Sequence, residues 1–522
     1  MSWASSLDLD RTLAACHQDL LGDWFRDPWG WPELDWVVAT RRDLIEERLR
    51  STDVRAISKI DVPKENFGIR PAMVMDPLER LAYQALVGHL SVPLIGGMHR
   101  NAYGWRLPVK GMTAGLYSPN DKQWENYRSY LSLLAGEFDV ALKTDIVSCF
   151  ASIPVDRLIE EIEGKITRAG ARPIVDHLVP RLKSWTKVSG RSGIPQRFQA
   201  SAVLANLYLS QLDEVLDHHS SEVDYDSGKR RSFVRWMDDV WLFGEDAGNL
   251  RRAQVEINSA LNDMGLHMNS GKTELLEGEQ VALSAREVEH SAIDEELLFG
   301  KLFFKKGKTL FKKGPVTKRL DELVERLVDA KETASRTSLK FATTRMRTYK
   351  HFAKVDSFVE VAMRMPQGAD ALARLFRDAK RAGGMEDWYI DYLGKPWSKV
   401  EWAAAQLGTM FPSRGKVGRP IQEEFSSILS RGGSSLPMTA VAAQRLAKWD
   451  RKEARVVISE AVKRAENPLH RRVLALAGLE AGCSRTNVTK WLSEFPENAV
   501  TLELLRDRSF VKLPLKPDFT GS

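Results

Sequence analysis

The stretch FVRWMDDVWLFG, residues 233–244, places two adjacent acids between two apolar runs. The β-rich residues on both sides predict two strands joined by a short turn. Asp238 and Asp239 lie at that turn, where Asp is common, so an ordinary hairpin is one interpretation. However, two like charges beside a buried sheet repel each other and lose hydration. A bound Mg²⁺ or Mn²⁺ would relieve both costs, because these ions prefer oxygen ligands.

A third acid follows another predicted strand. In FDVALKTDIVSCFASIP, residues 138–154, apolar residues alternate with others from 140 to 143, and Asp145 comes next. The chain then enters a helix near Pro154. Taken alone, Asp145 is equally consistent with a turn residue at the start of a helix.

Two further motifs follow in the chain. SGIPQRFQASAVLANLYLSQLDEVL, residues 192–216, has a tight loop at 193–196 and then a long apolar helix. MGLHMNSGKTELLEG, residues 264–278, places Lys272 in a turn after a short apolar strand. A lone Lys is usually solvated, so this motif is weak without the others.

These four motifs together resemble the palm of a reverse transcriptase. Their order is strand–Asp–x4–Phe, Gly-x-Pro-Gln before a helix, an aromatic-x-Asp-Asp hairpin and a Gly-Lys-Thr turn. RPAMVMDPLERLAYQAL (70–86) and NAYGWR (101–106) also resemble the fingers of bacterial members. The resemblance covers roughly residues 60 to 310. It is closest to the antiphage-defence reverse transcriptases, including the abortive-infection group, whose palms precede a long helical module.

The resemblance implies catalytic roles for five residues. Asp145 and Asp238 would bridge two metal ions, Mg²⁺ or Mn²⁺, with Asp239 assisting. The Ile146 carbonyl would complete the shell of one ion. Lys272 would protonate the departing pyrophosphate, a suitable task for an ammonium group beside a developing negative charge.

The resemblance also implies a nucleotide-binding set. Phe150 lies where the family has its sugar gate, which would favour deoxynucleotides, although a core Phe is the alternative. Gln196 would lie near the incoming nucleotide, and Cys149 belongs to the same segment as Phe150. Arg70 would grip the triphosphate, unless it forms only a surface salt bridge.

The sequence departs from the family pattern at three places. Trp236 replaces the usual Tyr before the paired acids, and Arg197 follows Gln196 where Gly is common. NAYGWR (101–106) lacks the His of retron enzymes, which argues against a retron enzyme. No ribonuclease H, integrase or HNH pattern is present, which argues against a complete mobile element.

A basic segment follows the palm motifs. KLFFKKGKTLFKKGPVTKRL, residues 301–320, has no acid and interleaves Phe with Lys. Lysines would track phosphates and aromatic rings would stack on bases, so the segment predicts nucleic-acid contact. A solvated hairpin with an apolar underside is the alternative. The candidate contacts are Lys305, Lys306, Lys312 and Lys313.

Composition narrows the class of protein. The 522 residues are 43% hydrophobic and 28% charged, with a formal net charge of +6, as expected of a soluble globular chain. The three cysteines lack metal-ligand spacing and predict no disulfide framework. No signal peptide or membrane span is recognisable, so a cytoplasmic protein is expected. Beyond about residue 315, amphipathic helices alternate with short Gly and Pro breaks.

The predicted fold is therefore α+β. A right-hand polymerase with fingers, and a palm with an antiparallel sheet, would precede an all-α thumb and a helical-repeat-like C-terminal module. The expected domains are an N-terminal helical segment (1–60), fingers (61–135), palm (136–300), a basic connector with the start of the thumb (301–345) and the helical module (346–522).

The leading hypothesis is an RNA-directed or template-independent DNA polymerase that acts in bacterial antiphage defence. Its expected partners are deoxynucleoside triphosphates, RNA or single-stranded DNA, a non-coding RNA and a second copy of the chain, but no membrane. An RNA-dependent RNA polymerase and a catalytically silent nucleic-acid scaffold are the alternatives. A protein primer at Tyr349, Tyr389 or Tyr392 is a weaker hypothesis, because helical tyrosines usually pack.

Overall fold

The computed structural model describes residues 3–53, 55, 57–108, 116–187, 193–226, 228–285, 290, 293–294, 314–415 and 417–507. The chain forms two compact units. Unit 1 comprises Met1–Gly22, Val38–Val54 and Leu78–Ala292, and unit 2 comprises Asp23–Val37, Arg55–Pro77 and Ile293–Ser522. The first 60 residues are thus divided between the units, whereas the sequence suggested one continuous segment. The five domain limits stay predictions.

The N-terminal half alternates helices with short strands. In chain order the helices are α1 (Leu9–Gly22), α2 (Pro32–Thr40), α3 (Arg42–Arg50), α4 (Pro77–Ile95), α5 (Asn120–Glu137), α6 (Cys149–Ser152), α7 (Val155–Lys165), α8 (Arg172–Trp185), α9 (Gln199–Tyr208), α10 (Ser210–His218), α11 (Ala247–Asp263) and α12 (Glu279–Ala285). The strands are β1 (Ser58–Pro63), β2 (Ile69–Val74), β3 (Ala102–Tyr103), β4 (Val140–Thr144), β5 (Glu222–Tyr225), β6 (Gly228–Arg231), β7 (Phe233–Trp236), β8 (Asp239–Gly244) and β9 (Glu274–Glu277).

The main sheet of unit 1 has the strand order β3-β7-β8-β4-β9. Its pairs are antiparallel, as expected, except at one edge, where β3 runs parallel to β7. In the register of β4 and β8, Thr144 lies opposite Val240. The next residue outward on each strand is an acid, so the pairing brings Asp145 and Asp239 together at the same end of these two adjacent strands.

Both faces of this sheet are covered, which explains its apolar strands. Side chains from β7 and β8, including Val234 and Phe243, pack in a core with Tyr130 and Leu134 of α5. Helix α11 covers the opposite face and buries the residues at its helical spacing, Leu250, Ala253, Ile257 and Leu261. Buried on two sides, the hairpin 233–244 needs apolar residues on both faces, which is why its strands read as continuous apolar runs.

The C-terminal part of unit 2 is helical throughout its described residues. Its helices are α13 (Gly314–Asp329), α14 (Arg336–Thr348), α15 (Val355–Val361), α16 (Ala369–Asp378), α17 (Glu386–Gly394), α18 (Glu401–Gly408), α19 (Arg419–Arg431), α20 (Leu436–Trp449), α21 (Arg451–Arg464), α22 (Pro468–Ala481), α23 (Arg485–Ser493) and α24 (Ala499–Arg506).

These helices pack on their next-but-one neighbours. Helix α14 packs on α16, α16 on α18, α18 on α20 and α20 on α22, while α17 packs on α19 and α19 on α21. This is the nearest-neighbour packing of a two-layer helical array. Across the residues described above, no helix combines the length and the apolar character that a membrane span requires.

Candidate active site

The hairpin of β7 and β8 closes through a two-residue turn. Trp236 pairs with Asp239, so Met237 and Asp238 form the turn. Met237 has φ 56°, in the left-handed region that residues other than Gly rarely adopt. Such strain persists only where the surrounding structure holds it, and it is concentrated at functional sites.

A buried ion pair holds this turn. Arg235 has no exposed surface. Its Nε and Nη2 donate to the two carboxylate oxygens of Asp213 on α10 at 2.6 and 2.7 Å. Its Nη1 donates to the side-chain oxygen of Asn206 on α9 and to the Met237 carbonyl, both at 3.0 Å. Arg235 therefore ties the strained turn to two helices of the palm.

Sequence reasoning missed this network. The signal was a single Arg within the otherwise apolar run of β7. Its partner Asp213 lies 22 residues upstream, and nothing in the local pattern pairs the two.

The structure brings Asp145 and Lys272 together. The Lys272 Nζ lies 3.1 Å from the Asp145 carboxylate. The Asn269 side chain donates to the same oxygen at 3.2 Å, and the Asn269 amide donates to the Asp145 carbonyl at 2.8 Å. The segment that carries Lys272 is thus attached directly to the acid that follows β4.

The backbone around Ile146 is hydrogen-bonded to the same segment that carries Lys272. Ile146 is buried and forms an isolated antiparallel bridge with Met268. The hydrogen bonds of this bridge use the Asp145 carbonyl and the amide of Val147, which donates to His267. These two bonds leave the Ile146 carbonyl out of the bridge.

Dehydration and repulsion act on Asp239. This residue is exposed by surface area, but protein atoms crowd its carboxylate. That dehydration, together with the nearby charge of Asp145, raises the pKa of Asp239 to about 6, while Lys272 and Lys143 oppose the shift. A pKa this high indicates a carboxylate that lacks a sufficient cationic partner.

The pKa of the buried Cys149 shows that Asp238, the acid of the turn, lies nearby. Burial raises the pKa of its thiol well above the usual range, and Asp238 and Asp145 raise it further. Asp145 therefore acts electrostatically on both Cys149 and Asp239. The three predicted acids share one electrostatic neighbourhood.

A hard divalent cation fits the donor chemistry of this neighbourhood. Its donors are carboxylate and carbonyl oxygens, which Mg²⁺ and Mn²⁺ prefer, and Asp239 carries a repulsion that a cation would relieve. Within the described part of the chain, however, no three His, Cys, Asp or Glu side chains have the spacing of a ligand set. Lys272 instead contacts Asp145, so metal binding requires the carboxylates to move closer together.

The predicted sugar-gate residue is held by the Gly-x-Pro-Gln loop. Phe150 is half-buried in α6, and its carbonyl accepts a hydrogen bond from the Ile194 amide at 2.8 Å. A Cβ atom on Gly193 would lie 2.2 Å from that carbonyl oxygen and 2.7 Å from the Ala151 carbonyl carbon. Only Gly allows the loop to approach the α6 backbone this closely.

The end of the same loop carries Gln196 and Arg197. Gln196 is half-buried and Arg197 is exposed. Arg197 has φ 67°, so its backbone conformation favours Gly. That conformation explains why a Gly suits this position and why Arg197 is an unusual residue there.

Trp236 packs within an aromatic cluster. Its ring centroid lies 4.9 Å from that of Trp124, 5.7 Å from that of Tyr127 and 6.3 Å from that of Trp105. All these rings are buried or half-buried. The large side chain thus fills space beside the hairpin, a packing role that the sequence alone did not reveal.

Other predicted residues lie elsewhere. Arg70 belongs to unit 2, where its guanidinium lies 5.1 Å from the ring centroid of Trp24. The basic residues Lys305, Lys306, Lys312 and Lys313 lie outside the described residues. Their proposed roles stay predictions.

Burial argues against two of the three candidate priming tyrosines. Tyr389 and Tyr392 are fully buried, and their hydroxyls donate to the carbonyls of Ala404 and Trp397. Burial raises the pKa of both. The suggestion that either hydroxyl is an accessible nucleophile was wrong, because both are packing residues. Tyr349 is half-buried.

Comparison with known proteins agrees with this geometry. Residues 62–296 match the family described as "Reverse transcriptase (RNA-dependent DNA polymerase)". The chain is similar to the "Putative COX1/OXI3 intron 2 protein" of Saccharomyces cerevisiae, with 24% identity over 168 residues. It is also similar to the "Uncharacterized 91 kDa protein in cob intron" of Schizosaccharomyces pombe, with 25% identity over 224 residues.

These similarities cover only parts of each protein. The alignments span 31% and 40% of this chain, and 18% and 26% of the two relatives. Residues 62–296, less than half of the chain, are thus similar to reverse transcriptase domains, which have a palm and fingers. The predicted enzyme class, a nucleotidyltransferase of the RNA-dependent DNA polymerase type, is confirmed at the level of this domain.

Removing Asp213 should destabilise the hairpin. Asp213→Ala leaves the buried Arg235 without its carboxylate, which typically costs about 3–5 kcal/mol. We expect lower unfolding free energy in urea and faster amide exchange at 233–244. Glu222→Ala is the control, because its pair with Lys229 is exposed, and it should leave both measurements near wild type. Equal protection of the hairpin in the two variants would contradict the role assigned to Arg235.

The raised pKa of Asp239 predicts a pH-dependent stability. The folded pKa is about 6 and the unfolded value about 3.9, so the folded chain holds the proton more tightly. The stabilisation that Asp239 gains by holding its proton is fully present below about pH 4 and is lost as the pH rises to about 6. Without divalent ions, Asp239→Asn should therefore have a higher Tm than wild type at pH 7 and a flatter Tm profile between pH 4 and 6.

Mg²⁺ provides a second readout of the same effect. Added Mg²⁺ should raise the Tm of wild type at pH 7 more than that of Asp239→Asn, because the cation relieves repulsion that the variant lacks. Glu245→Gln, which changes an exposed acid just beyond β8, should retain the wild-type response. Parallel Tm profiles for wild type and Asp239→Asn would refute the electrostatic assignment.

Proposed function

We propose that this chain is an RNA-directed or template-independent DNA polymerase that acts in bacterial antiphage defence. One observation carries the polymerase proposal. Asp145 and Asp239 lie side by side at the same end of strands β4 and β8, within residues 62–296, which match the reverse transcriptase family. The antiphage role is supported by the resemblance of the motifs and by the helical module that follows them. Deoxynucleoside triphosphates and RNA or single-stranded DNA are the proposed substrates, with a non-coding RNA and a second copy of the chain as further partners.

In this proposal the acids of the palm hold two divalent ions. Asp145 and Asp238 would be the main ligands, Asp239 would assist and the Ile146 carbonyl would be a further ligand. When bound, such ions supply charge stabilisation for phosphoryl transfer. The Arg235 network supports this role because it fixes the turn that carries Asp238.

Lys272 is the proposed proton donor. Its ammonium group lies 3.1 Å from the Asp145 carboxylate, beside the acids that would hold the cations. From there it would donate a proton to the departing pyrophosphate. Its side chain is largely exposed, with 69% of its surface accessible.

We further assign the thumb to the segment that begins within 301–345 and the helical module to 346–522. The two-layer packing of alternate helices supports the second assignment. The protein is proposed to act in the cytoplasm. Arg70, Cys149, Phe150 and Gln196 are proposed to contact the nucleotide, and Trp236 and Arg197 the primer or template, with the lysines of the basic segment (Lys305, Lys306, Lys312 and Lys313).

The polymerase proposal is tested with the purified full chain and Mg²⁺ or Mn²⁺. We expect deoxynucleotide incorporation, measured with and without an RNA template. Asp238→Asn should reduce it by roughly 100-fold or more, because even partners of metal ligands contribute that much. A preference for ribonucleotides would instead support the RNA polymerase alternative.

Phage protection separates catalysis from scaffolding. Cells that express wild type should survive phage challenge, and cells that express Asp238→Asn should not. If Asp238→Asn protects as well as wild type and neither protein incorporates nucleotides, the chain acts as a silent nucleic-acid scaffold and the polymerase proposal fails.

The contact of Gly193 with α6 predicts a change in sugar selectivity. Gly193→Ala would push the Phe150–Ala151 backbone away and loosen the gate against the ribose hydroxyl. We expect the ratio of kcat/KM for deoxy- over ribonucleotides to fall roughly 10-fold, in the range of small pocket changes. Gly164→Ala in α7, where an added Cβ meets open space, is the matched control. If a folded Gly193→Ala protein keeps the wild-type ratio, the contact of Gly193 with α6 does not contribute to the selection between deoxy- and ribonucleotides.

A further inference from the structure

A group of cations surrounds one acid where α14 packs on α16 in unit 2. Arg336 and Lys340 lie one turn apart on α14, Arg374 lies on α16 and Arg26 comes from the segment before α2. The acid is Asp370, at the start of α16. We name these five residues the Asp370 cluster.

Three guanidinium groups share the Asp370 carboxylate. Arg336 approaches one oxygen at 3.0 Å, and Arg374 and Arg26 approach the other at 3.2 and 3.9 Å. Asp370 retains only 7% of its surface, so water does little to screen these charges. Because one carboxylate balances one cation, the cluster carries an excess of positive charge in a partly dehydrated environment.

Two further acids contact residues of α14. Glu65 accepts a hydrogen bond from the backbone amide of Arg336 at 3.1 Å, so its charge offsets part of the positive charge, and Asp378 pairs with Arg347 at 2.6 Å. Lys340 is exposed by surface area, but partial dehydration of its ammonium group lowers its pKa, and three arginines of the cluster add to this against the opposing effect of Asp370. Burial likewise lowers the pKa of Arg374 to about 10, with Arg26, Arg347 and Arg336 contributing.

Arg374 also has unused donor capacity. The residue is 8% exposed, and its buried Nε finds no hydrogen-bond acceptor within the described part of the protein. Arg336 is oriented on its other side, where its guanidinium lies 4.9 Å from the ring centroid of Trp24 and 5.4 Å from that of Trp402. Arg336 is therefore held by aromatic packing as well as by Asp370.

We infer that the Asp370 cluster binds a phosphate group. Guanidinium groups match phosphate oxygens with paired donors, and a bound dianion would supply the missing charge. The phosphate would come from a nucleic-acid backbone or from a free nucleotide or pyrophosphate. The choice of nucleic acid rests on the proposed polymerase function, whereas the binding of phosphate itself does not.

The test compares Arg374→Gln with Arg381→Gln in the full chain without divalent ions. Arg381→Gln removes an equal charge from an exposed pair with Asp356, and thus serves as the matched control. The probes are pyrophosphate, dATP, and labelled 20-nucleotide DNA and RNA. Binding is measured by anisotropy for the oligonucleotides and by Tm shift for the small probes.

A backbone phosphate predicts a specific pattern. Arg374→Gln should weaken oligonucleotide binding about tenfold, and the slope of log K against log salt should flatten by about 0.7 for each lost single-strand contact. A free phosphate predicts that pyrophosphate or dATP raises the Tm of wild type and of Arg381→Gln but not of Arg374→Gln. Either pattern supports the phosphate site and identifies its source.

Two results would overturn the inference. The first is binding of all four probes by Arg374→Gln with wild-type strength. The second is a purely structural effect, in which Arg374→Gln lowers the Tm without anions while the stabilisation by each probe stays unchanged. The absence of divalent ions separates this inference from the proposed polymerase function. If wild type binds the probes but incorporates no nucleotide when Mg²⁺ or Mn²⁺ is added, the polymerase proposal fails and the phosphate site stands.

Discussion

The buried pair of Arg235 and Asp213 is the constraint on which the palm site depends. Arg235 makes two contacts to Asp213 and one to the Met237 carbonyl, and the same side chain reaches Asn206. Its charge is therefore compensated while it holds a strained turn. Without such a fixed support, an apolar hairpin with adjacent acids would turn those acids toward bulk water. The polar network thus orients the hairpin rather than simply adding stability, which buried ion pairs often fail to do.

The acids of the candidate site repel one another. Dehydration and Asp145 raise the pKa of Asp239, and the Lys272 ammonium group lies 3.1 Å from the Asp145 carboxylate. Repulsion of this kind is tolerated where a site must accept a cation, because binding then converts it into affinity.

Unit 2 contains two ion networks of opposite balance. Arg472 is fully buried and pairs with both Asp27 and Glu33, so two acids surround one cation. The Asp370 cluster has several cations around one acid and a buried guanidinium nitrogen without an acceptor among the described residues. A buried guanidinium whose three nitrogens all meet acids stabilises packing. A network that is incomplete in charge and in hydrogen bonds is better suited to a ligand.

The sequence by itself determined the elements and the acids of this protein. β-rich residues predicted the hairpin 233–244, period-two alternation predicted the strand before Asp145, and 3.6-residue periodicity predicted the helical C-terminal part, because each signal lies within one element. Tertiary structure decided what those elements hold. The pairing of Arg235 with Asp213 and the fit of Gly193 against α6 depend on segments distant in sequence. Long-range contacts arise only when the packing of whole elements brings such residues together, and no local pattern encodes them.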